Sequence, residues 1–260
     1  METKLNSKIT LVGAGPGDPE LITLKGLRTL ANADVVLYDA LVRKELLEFA
    51  PKAVKVYVGK RLGKGENSQE SINKLIVRYA SKYTNVVRLK GGDSFVFGRG
   101  YEELQYARSF GFETEVIPGI SSSLSVPALA GIPVTHRGLS KSFHVITATQ
   151  KEGKFNEELK DALNYKGTVV ILMGLHLLKE ISELFVESGK GDLPAAIILD
   201  GSLPTEEQYL GTIKTLPTLF HSSKGKPGII VIGEVVALKS NPKTVVYDLA
   251  FEGLKNNLAN

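Results

Sequence analysis

The sequence contains no cysteine and no tryptophan. Without cysteine, the chain can form no disulfide, no thiolate metal site and no cysteine nucleophile. It also has no apolar run approaching the roughly 20 residues that cross a bilayer. Residues 1–6, METKLN, lack the long apolar core of a signal peptide. We therefore expect a cytoplasmic enzyme.

Aromatic residues are also few, at 7% of the 260 residues, while 43% are hydrophobic and 23% are charged. These proportions are typical of a soluble globular protein with one large domain or two ordinary ones. The net charge of +4 has two explanations: a solvated lysine-rich surface, or an anionic ligand held by basic residues at a site. Nucleic acid is disfavoured as a partner, because aromatics are few and no dense basic stripe is present.

Short β-branched runs alternate with helical patterns through the first half of the chain. One helical pattern, over residues 68–81, places Ile72, Ile76 and Tyr79 on one face. Because strands separated by helices pair in parallel, we predict an α/β domain here. The predicted strands lie at residues 9–14, 34–38, 54–58, 86–90 and 114–117.

The alternation restarts after residue 140. We predict strands at residues 144–149, 169–173, 195–199 and 229–233, with a helix over residues 175–187 between two of them. A boundary near residues 137–142 divides the chain into two α/β domains of ordinary size, residues 1–138 and residues 139–240. Residues 241–260 are predicted to be a peripheral tail.

Three glycines at alternate positions follow the first predicted strand, in the segment GAGPGD at residues 13–18. A dinucleotide-binding loop needs a glycine where this chain has Asp18, and a carboxylate there repels a pyrophosphate. Pro16 also lacks the N–H that a phosphate would accept. Asp18 followed by Pro19 instead predicts the start of a helix that continues to about residue 31. Taken alone, the loop is either a structural turn or part of a site for a ligand without phosphate.

Two further glycine-rich segments follow predicted strands, LKGGDSFVFGRG at residues 89–100 and IPGISSS at residues 117–123. In an open parallel sheet, ligands bind beyond the carboxyl ends of the strands. Since all three segments leave strands at that edge, we predict that they line one crevice.

Together these stretches resemble the tetrapyrrole methylase family, from about residue 9 to residue 238. Each motif alone is weak, whereas all seven in this order are specific. Two small-for-small departures are Ser121-Ser122, where some members have Thr-Ala, and Gly228, where alanine is frequent. The motifs are VGAGPGD at 12–18, YDALV at 38–42, VGKR at 58–61, RLKGGDSFVFGRG at 88–100, VIPGISS at 116–122, GIPVTHR at 131–137 and LMG at 172–174.

The resemblance implies S-adenosylmethionine as methyl donor, with S-adenosylhomocysteine as its product, and uroporphyrinogen III as acceptor. Two methylations at carbon would give precorrin-2, on the branch toward sirohaem and cobalamin. It also implies a homodimer, with each subunit made of two α/β domains and an active site in the cleft between them.

The resemblance further implies roles for individual residues. Asp39 falls at the proton acceptor and Lys60 at the proton donor of the family. Asp39 has a second interpretation, as the N-cap of a helix before Leu41, and both interpretations stay open. The residues that fall at methyl-donor contacts are Pro16, Gly91, Gly92, Asp93, Val96, Ser121, Ser122, Met173, Gly201 and Gly228.

A substrate with eight carboxylates would explain the net positive charge of the chain, because arginine binds carboxylates in bidentate fashion. The candidates for these contacts lie in loops after predicted strands or near the domain boundary. For each residue alone, a solvated surface charge is as good an explanation as contact with a substrate carboxylate. For the residues as a set, we favour contact with the substrate. They are Lys60, Arg61, Arg99, His136 and Arg137. The four histidines show no metal-ligand spacing, so we predict no metal site.

Three alternatives remain at this point. The first is a methylase of the same family that acts on a later precorrin. The second is a nicotinamide oxidoreductase that uses the first glycine loop, against which Pro16 and Asp18 argue. The third is a basic binding module without catalysis, which leaves Asp39 and the turn at residues 91–93 unexplained.

Overall fold

The computed structural model describes residues 7–59, 68–150 and 154–240. The chain forms two compact units, Met1–Ser122 and Ser123–Asn260, whereas the sequence places the boundary between residues 138 and 139. Val126 and Ile132 account for the earlier division, because both pack into the core of the second unit. The expected tail at residues 241–260 lies outside the described residues.

The first unit contains a five-stranded sheet in the order β3-β2-β4-β1-β5, with every pair parallel. This confirms the parallel α/β arrangement and all five predicted strands, within one residue at each end. The carboxyl ends of the strands therefore share one edge of the sheet. The strands are β1 (Lys8–Gly13), β2 (Val35–Tyr38), β3 (Val54–Tyr57), β4 (Asn85–Lys90) and β5 (Glu113–Ile117).

Helices α1 (Leu24–Ala31), α2 (Gln69–Ala80) and α3 (Gly100–Ser109) accompany this sheet. The Ser68 hydroxyl caps α2 by accepting the Ser71 N–H at 3.2 Å, which confirms the predicted helix over residues 68–81.

The predicted cap at Asp18 is also present, since its carboxylate accepts the Glu20 N–H at 2.9 Å. The helix that it begins is a single 3₁₀ turn, Pro19–Leu21, and not a helix continuing to residue 31. The backbone is extended at Ile22 and Thr23, and the Thr23 hydroxyl then caps α1 by accepting the Gly26 N–H at 3.1 Å. A second capping residue so close to the first divides the expected helix in two. A further 3₁₀ segment spans Lys44–Phe49.

The second unit contains a mixed five-stranded sheet in the order β6-β7-β10-β8-β9. Only β6 and β7 are parallel, while β10 runs antiparallel to both of its neighbours. The strands are β6 (Phe143–Thr147), β7 (Thr168–Leu172), β8 (Pro194–Leu199), β9 (Glu207–Thr212) and β10 (Gly228–Ile232). The helices are α4 (Ser122–Leu129), α5 (Leu159–Ala162), α6 (Leu178–Glu187), α7 (Leu216–Leu219) and α8 (Val235–Ser240).

Both faces of each central strand are buried, which explains why the strands are almost continuously apolar in sequence. In β7, Val169 and Ile171 pack into one core cluster, while Val170 and Leu172 pack into another. None of the helices in the described ranges is long and apolar enough to cross a membrane.

Candidate functional site

The three glycine-rich segments of the first unit meet at the carboxyl edge of its sheet. Gly15 and Gly92 form an isolated antiparallel bridge, in which the Gly92 N–H donates to the Gly15 carbonyl at 2.7 Å and the Gly15 N–H to the Gly92 carbonyl at 3.2 Å. The Ala14 N–H also donates to the Lys90 carbonyl at 2.7 Å. The first two of these strand ends therefore lie side by side, whereas the expectation that all three segments line one ligand crevice stays a prediction.

The third segment approaches the first two through Gly119. A Cβ atom on Gly119 would lie 2.2 Å from the Gly92 carbonyl oxygen and 2.6 Å from the Gly13 Cα. These contacts are with backbone atoms, which cannot turn aside as a side chain does. Gly13 and Gly119 are therefore required by the packing of the loops on one another.

Asp93 holds this arrangement in place. One carboxylate oxygen accepts the Gly119 N–H at 3.0 Å, and the other accepts the Phe95 N–H at 2.8 Å. The resemblance implies that Asp93 contacts the methyl donor, although each of its oxygens already accepts a hydrogen bond from a loop N–H. A carboxylate has about four lone-pair sites, so capacity for a ligand remains.

Gly92 differs from its glycine neighbours, because its surroundings are open. Its φ is +64°, and among the described residues the only atom within 4 Å of a built Cβ is the Ser122 nitrogen, at 3.9 Å. At Gly91, in contrast, a Cβ would lie 2.7 Å from the Leu41 Cβ. The backbone at Gly92 is thus free for close approach by a ligand, which is what a flat nucleoside requires.

The other expected donor contacts in this unit lie near that opening. Pro16 is half-buried in the first loop, and Val96 is 36% exposed in the second. Ser121 is buried, and Ser122 is the first residue of α4.

Asp39 lies just after the end of β2. One carboxylate oxygen accepts the Leu41 N–H at 3.2 Å, and the other accepts from the Arg88 guanidinium at 3.3 Å. Asp39 does not cap a helix, since the next helical segment begins only at Lys44. The carboxylate is 25% exposed, so it remains accessible for proton transfer.

Asp39 adjoins a group of buried charged residues. The sequence did not indicate that this group is functional. Arg88 and Lys90 lie in β4 and Glu103 in α3, and all three are almost fully buried. One Glu103 oxygen accepts from the Lys90 ammonium at 3.1 Å and from the Arg88 Nε at 3.4 Å. Burial lowers the pKa of Lys90, and the nearby Arg88 charge lowers it further. The available signal was the presence of two cations in a strand whose Val86, Val87 and Leu89 are apolar.

The basic residues predicted to bind substrate are in different situations. Lys60 and Arg61 lie outside the described residues. Arg99 has a left-handed backbone with φ of +57° and pairs with Glu102 in an exposed ion pair. Exposed pairs of this kind contribute little stability, so Arg99 can exchange Glu102 for another carboxylate.

In the second unit, Arg137 is exposed and forms no hydrogen bond or ion pair with any described residue. His136 is half-buried, and its Nδ1 has no hydrogen-bond partner in the described part of the chain. Its backbone N–H donates to the Ser140 carbonyl at 2.8 Å. Within the described ranges, no group of three or more His, Asp or Glu side chains is placed to hold a metal ion.

Three expected donor contacts also lie in the second unit. Met173 follows β7 directly, is 49% exposed and has a φ of +56°. Such backbone strain in a residue other than glycine is concentrated at functional sites. A Cβ on Gly201 would lie 2.3 Å from a Val126 methyl group, and one on Gly228 would lie 2.6 Å from a Leu199 methyl group. Packing therefore already explains Gly201 and Gly228.

Comparison with known proteins gives consistent results. The sequence model of the tetrapyrrole (corrin/porphyrin) methylases matches residues 8–217. A uroporphyrinogen-III C-methyltransferase of Methanocaldococcus jannaschii is 45% identical over 236 residues, which are 89% of this chain and 98% of that protein. A siroheme synthase of Actinobacillus pleuropneumoniae is 44% identical over 90% of this chain, which spans about half (48%) of that longer protein.

A solved structure agrees in fold. The uroporphyrin-III C-methyl transferase of Thermus thermophilus, complexed with S-adenyl homocysteine, has a TM-score of 0.79 and is 37% identical. The match covers 89% of this chain and all (100%) of that one. It therefore includes both units described above.

Proposed function

We propose that this chain, which belongs to the tetrapyrrole methylase family, is an S-adenosylmethionine-dependent C-methyltransferase that converts uroporphyrinogen III to precorrin-2 by two methylations. The observation that carries the proposal is the meeting of three glycine-rich strand ends around an open backbone at Gly92. The name of the 45% identical relative, which the chain covers almost completely, supports the choice of acceptor.

The loops suit a nucleoside that carries no phosphate. Pro16 has no N–H, and the Asp18 carboxylate occupies the start of the 3₁₀ turn by accepting the Glu20 N–H. The remaining acidic group at the loops, Asp93, can accept from the amino group or ribose hydroxyls of the donor. The sulfonium of the donor supplies an activated methyl group, so the protein mainly has to align the two reacting carbons. Positioning of that kind can contribute several kcal/mol.

After methylation, the tetrapyrrole carries a proton that has to leave. We assign its removal to Asp39, because this carboxylate is partly exposed at a strand end and is held there by the hydrogen bond that it accepts from Arg88. Lys60 is proposed as the proton donor on the strength of the family resemblance.

Substrate carboxylates are assigned to Arg61, Arg99, His136 and Arg137. The guanidinium of Arg137 has no partner among the described residues, which supports this assignment, because such a group can form a bidentate pair without first breaking another. The donor contacts proposed for Met173, Gly201 and Gly228 rest on the family resemblance, and for Met173 also on its exposure and strained backbone.

The experiment that tests the proposal is anaerobic incubation with uroporphyrinogen III and S-adenosylmethionine, followed by mass spectrometry and by absorbance of the oxidised product. We expect a gain of two methyl groups with two equivalents of S-adenosylhomocysteine released. Turnover of later precorrins, but not of uroporphyrinogen III, would overturn the substrate assignment. Binding of NADH with no binding of S-adenosylhomocysteine would overturn the reaction class.

The chain is further proposed to act as a cytoplasmic homodimer. Exposed aromatic side chains in the second glycine-rich segment and in α3, namely Phe95, Phe97 and Tyr101, support association, because clustered apolar surface marks interfaces. Light scattering during size-exclusion chromatography should give twice the mass of one chain. Fractionation of cells that express the tagged chain should place it in the cytoplasm.

A further inference from the structure

The buried ion pair between Glu103 and Lys90 has no role in the proposed chemistry and no direct access to a substrate. We propose that Glu103 is a positioning residue that, with Lys90, holds the Arg88 guanidinium against Asp39 and divides its charge between two carboxylates. This inference rests on the proposed role of Asp39 as base.

The burial of Glu103 requires an explanation. Its side chain is 1% exposed, and a carboxylate so deep in a protein is strongly disfavoured unless it is paired. One oxygen accepts three donors: the Lys90 ammonium at 3.1 Å, the Gln69 amide at 3.1 Å and the Arg88 Nε at 3.4 Å. The other oxygen is buried without a partner among the described residues. All of these hydrogen bonds thus converge on one oxygen, from Arg88 and Lys90 of β4 and from Gln69 of α2.

Arg88 is fixed on three sides by this arrangement. Its Nε donates to Glu103, and its Nη1 donates to the carbonyls of Leu89 at 3.0 Å and Leu37 at 3.4 Å. Only Nη2 is directed to Asp39, at 3.3 Å. Because Nε is engaged with Glu103, Arg88 makes a single long contact with Asp39 and not a bidentate pair.

The charges of the group explain why two buried cations are present. Burial and the charge of Arg88 lower the pKa of Lys90, whereas Glu103 raises it, so Glu103 favours the charged form of Lys90. When Lys90 is protonated, the group contains two cations, Arg88 and Lys90, and two anions, Asp39 and Glu103. Loss of Glu103 alone would leave one excess positive charge beside Asp39. That excess would stabilise the carboxylate form of Asp39 and make it a weaker base.

A purely structural ion pair makes a different prediction. Removing a partner from such a pair lowers the stability of the protein but leaves the protonation of Asp39 unchanged. The titration of Asp39 therefore separates the two interpretations. It also separates this inference from the proposed function, since it can be measured without turnover.

The test uses protein labelled with ¹³C at the aspartate carboxyl carbon, with the Asp39 signal identified from its loss in Asp39→Asn. We expect Glu103→Gln to move the titration of that signal to lower pH. The double variant Lys90→Met/Glu103→Gln has no excess charge, and its Asp39 signal should titrate again near the wild-type pH. If the signal titrates at the same pH in all three proteins, the proposal is wrong, whatever the activity of the wild type.

A kinetic measurement adds a second readout. We expect Glu103→Gln to lower kcat by about tenfold or more and to move the acidic limb of the pH–rate profile in the same direction as the signal. Affinity for S-adenosylhomocysteine should be unchanged. The double variant should recover part of the lost kcat, and losses that simply add in the double variant would contradict the charge balance.

Two further variants serve as controls. Glu103→Asp keeps the negative charge and provides a folded alternative if Glu103→Gln fails to fold. The Asp39 signal of Glu103→Asp should titrate at the same pH as that of the wild type. Ser182→Ala removes a buried hydrogen bond to the Ile213 carbonyl, 2.9 Å long, in the second unit. It should lower the melting temperature without moving the Asp39 signal.

Discussion

Gly13 and Gly119 lie so close together that a Cβ atom on Gly13 would come within 2.4 Å of the Gly119 backbone nitrogen. The two backbones therefore pack so closely that neither residue has room for a side chain. We expect Gly119→Ala to lower stability by about 1–3 kcal/mol, the usual effect of overpacking, with the melting temperature as readout. It should also weaken binding of S-adenosylhomocysteine, because the loops have to separate. An unchanged melting temperature would contradict the close approach.

Substitution of Gly92 should affect donor binding more directly than substitution of Gly119. Valine at this position has space within the protein but projects into the proposed donor site, so Gly92→Val should abolish donor binding in calorimetry. Because the backbone at residue 92 is left-handed, valine there should also lower the stability of the protein by about 1–2 kcal/mol.

Gly92→Asn is the matched control, since asparagine tolerates this backbone conformation. It should melt near the wild-type temperature and still bind the donor poorly. Normal donor binding by both variants would show that the turn is structural only.

Asp39→Asn tests the base. The amide oxygen can still accept the Leu41 N–H, whereas the negative charge beside Arg88 is lost. We expect kcat to fall by about 10²–10⁴, the usual effect of losing a general base, with donor affinity nearly unchanged. A near-normal kcat with a lower melting temperature would mean that Asp39 serves only the turn.

Arg137→Ala tests recognition of the substrate carboxylates. Because Arg137 is exposed and has no partner among the described residues, its loss should leave the melting temperature unchanged. KM for the tetrapyrrole should rise, and added salt should raise KM for the wild type more than for the variant. A change confined to donor affinity would show that Arg137 belongs to the other ligand.

Lys90 should make the free energy of unfolding depend on pH in the alkaline range. Its pKa is lowered by burial, so between that lowered pKa and the ordinary value of 10.5 the unfolded chain binds more protons at this residue than the folded chain. The contribution of Lys90 to the free energy of unfolding therefore rises with pH across this window. Urea unfolding at about pH 8 and about pH 10 should show the wild type gaining stability relative to Lys90→Met. A constant difference would contradict the effect of burial.

Much of the first unit was predictable from sequence, because parallel strands that are covered on both faces are apolar throughout and end at recognisable loops. The second unit was less so. β9 was not predicted, since its sequence EQYLGT is polar and mostly half-buried. The antiparallel direction of β10 depends on pairing with β7 and β8, which no local pattern records.

The same limit applies at the site. The glycine-rich segments predicted which strand ends meet, because glycine permits a backbone approach that a Cβ atom would block. The pairing of Glu103 with Arg88 and Lys90 was not predicted, since it joins α3 to β4 through side chains alone. Nor does the sequence reveal that both carboxylate oxygens of Asp93 accept hydrogen bonds from backbone N–H groups. One of these N–H groups belongs to Gly119, which follows β5.

The central position of β10 has a consequence for synthesis. β10 lies between β7 and β8, although it is the last strand of the described chain. On the ribosome, the facing edges of β7 and β8 therefore stay unpaired until residues 228–232 have emerged. The first unit has all of its strands by Ile117 and meets no such delay. We expect aggregation during overproduction to begin from the second unit, at edges that a nascent neighbour can pair with first.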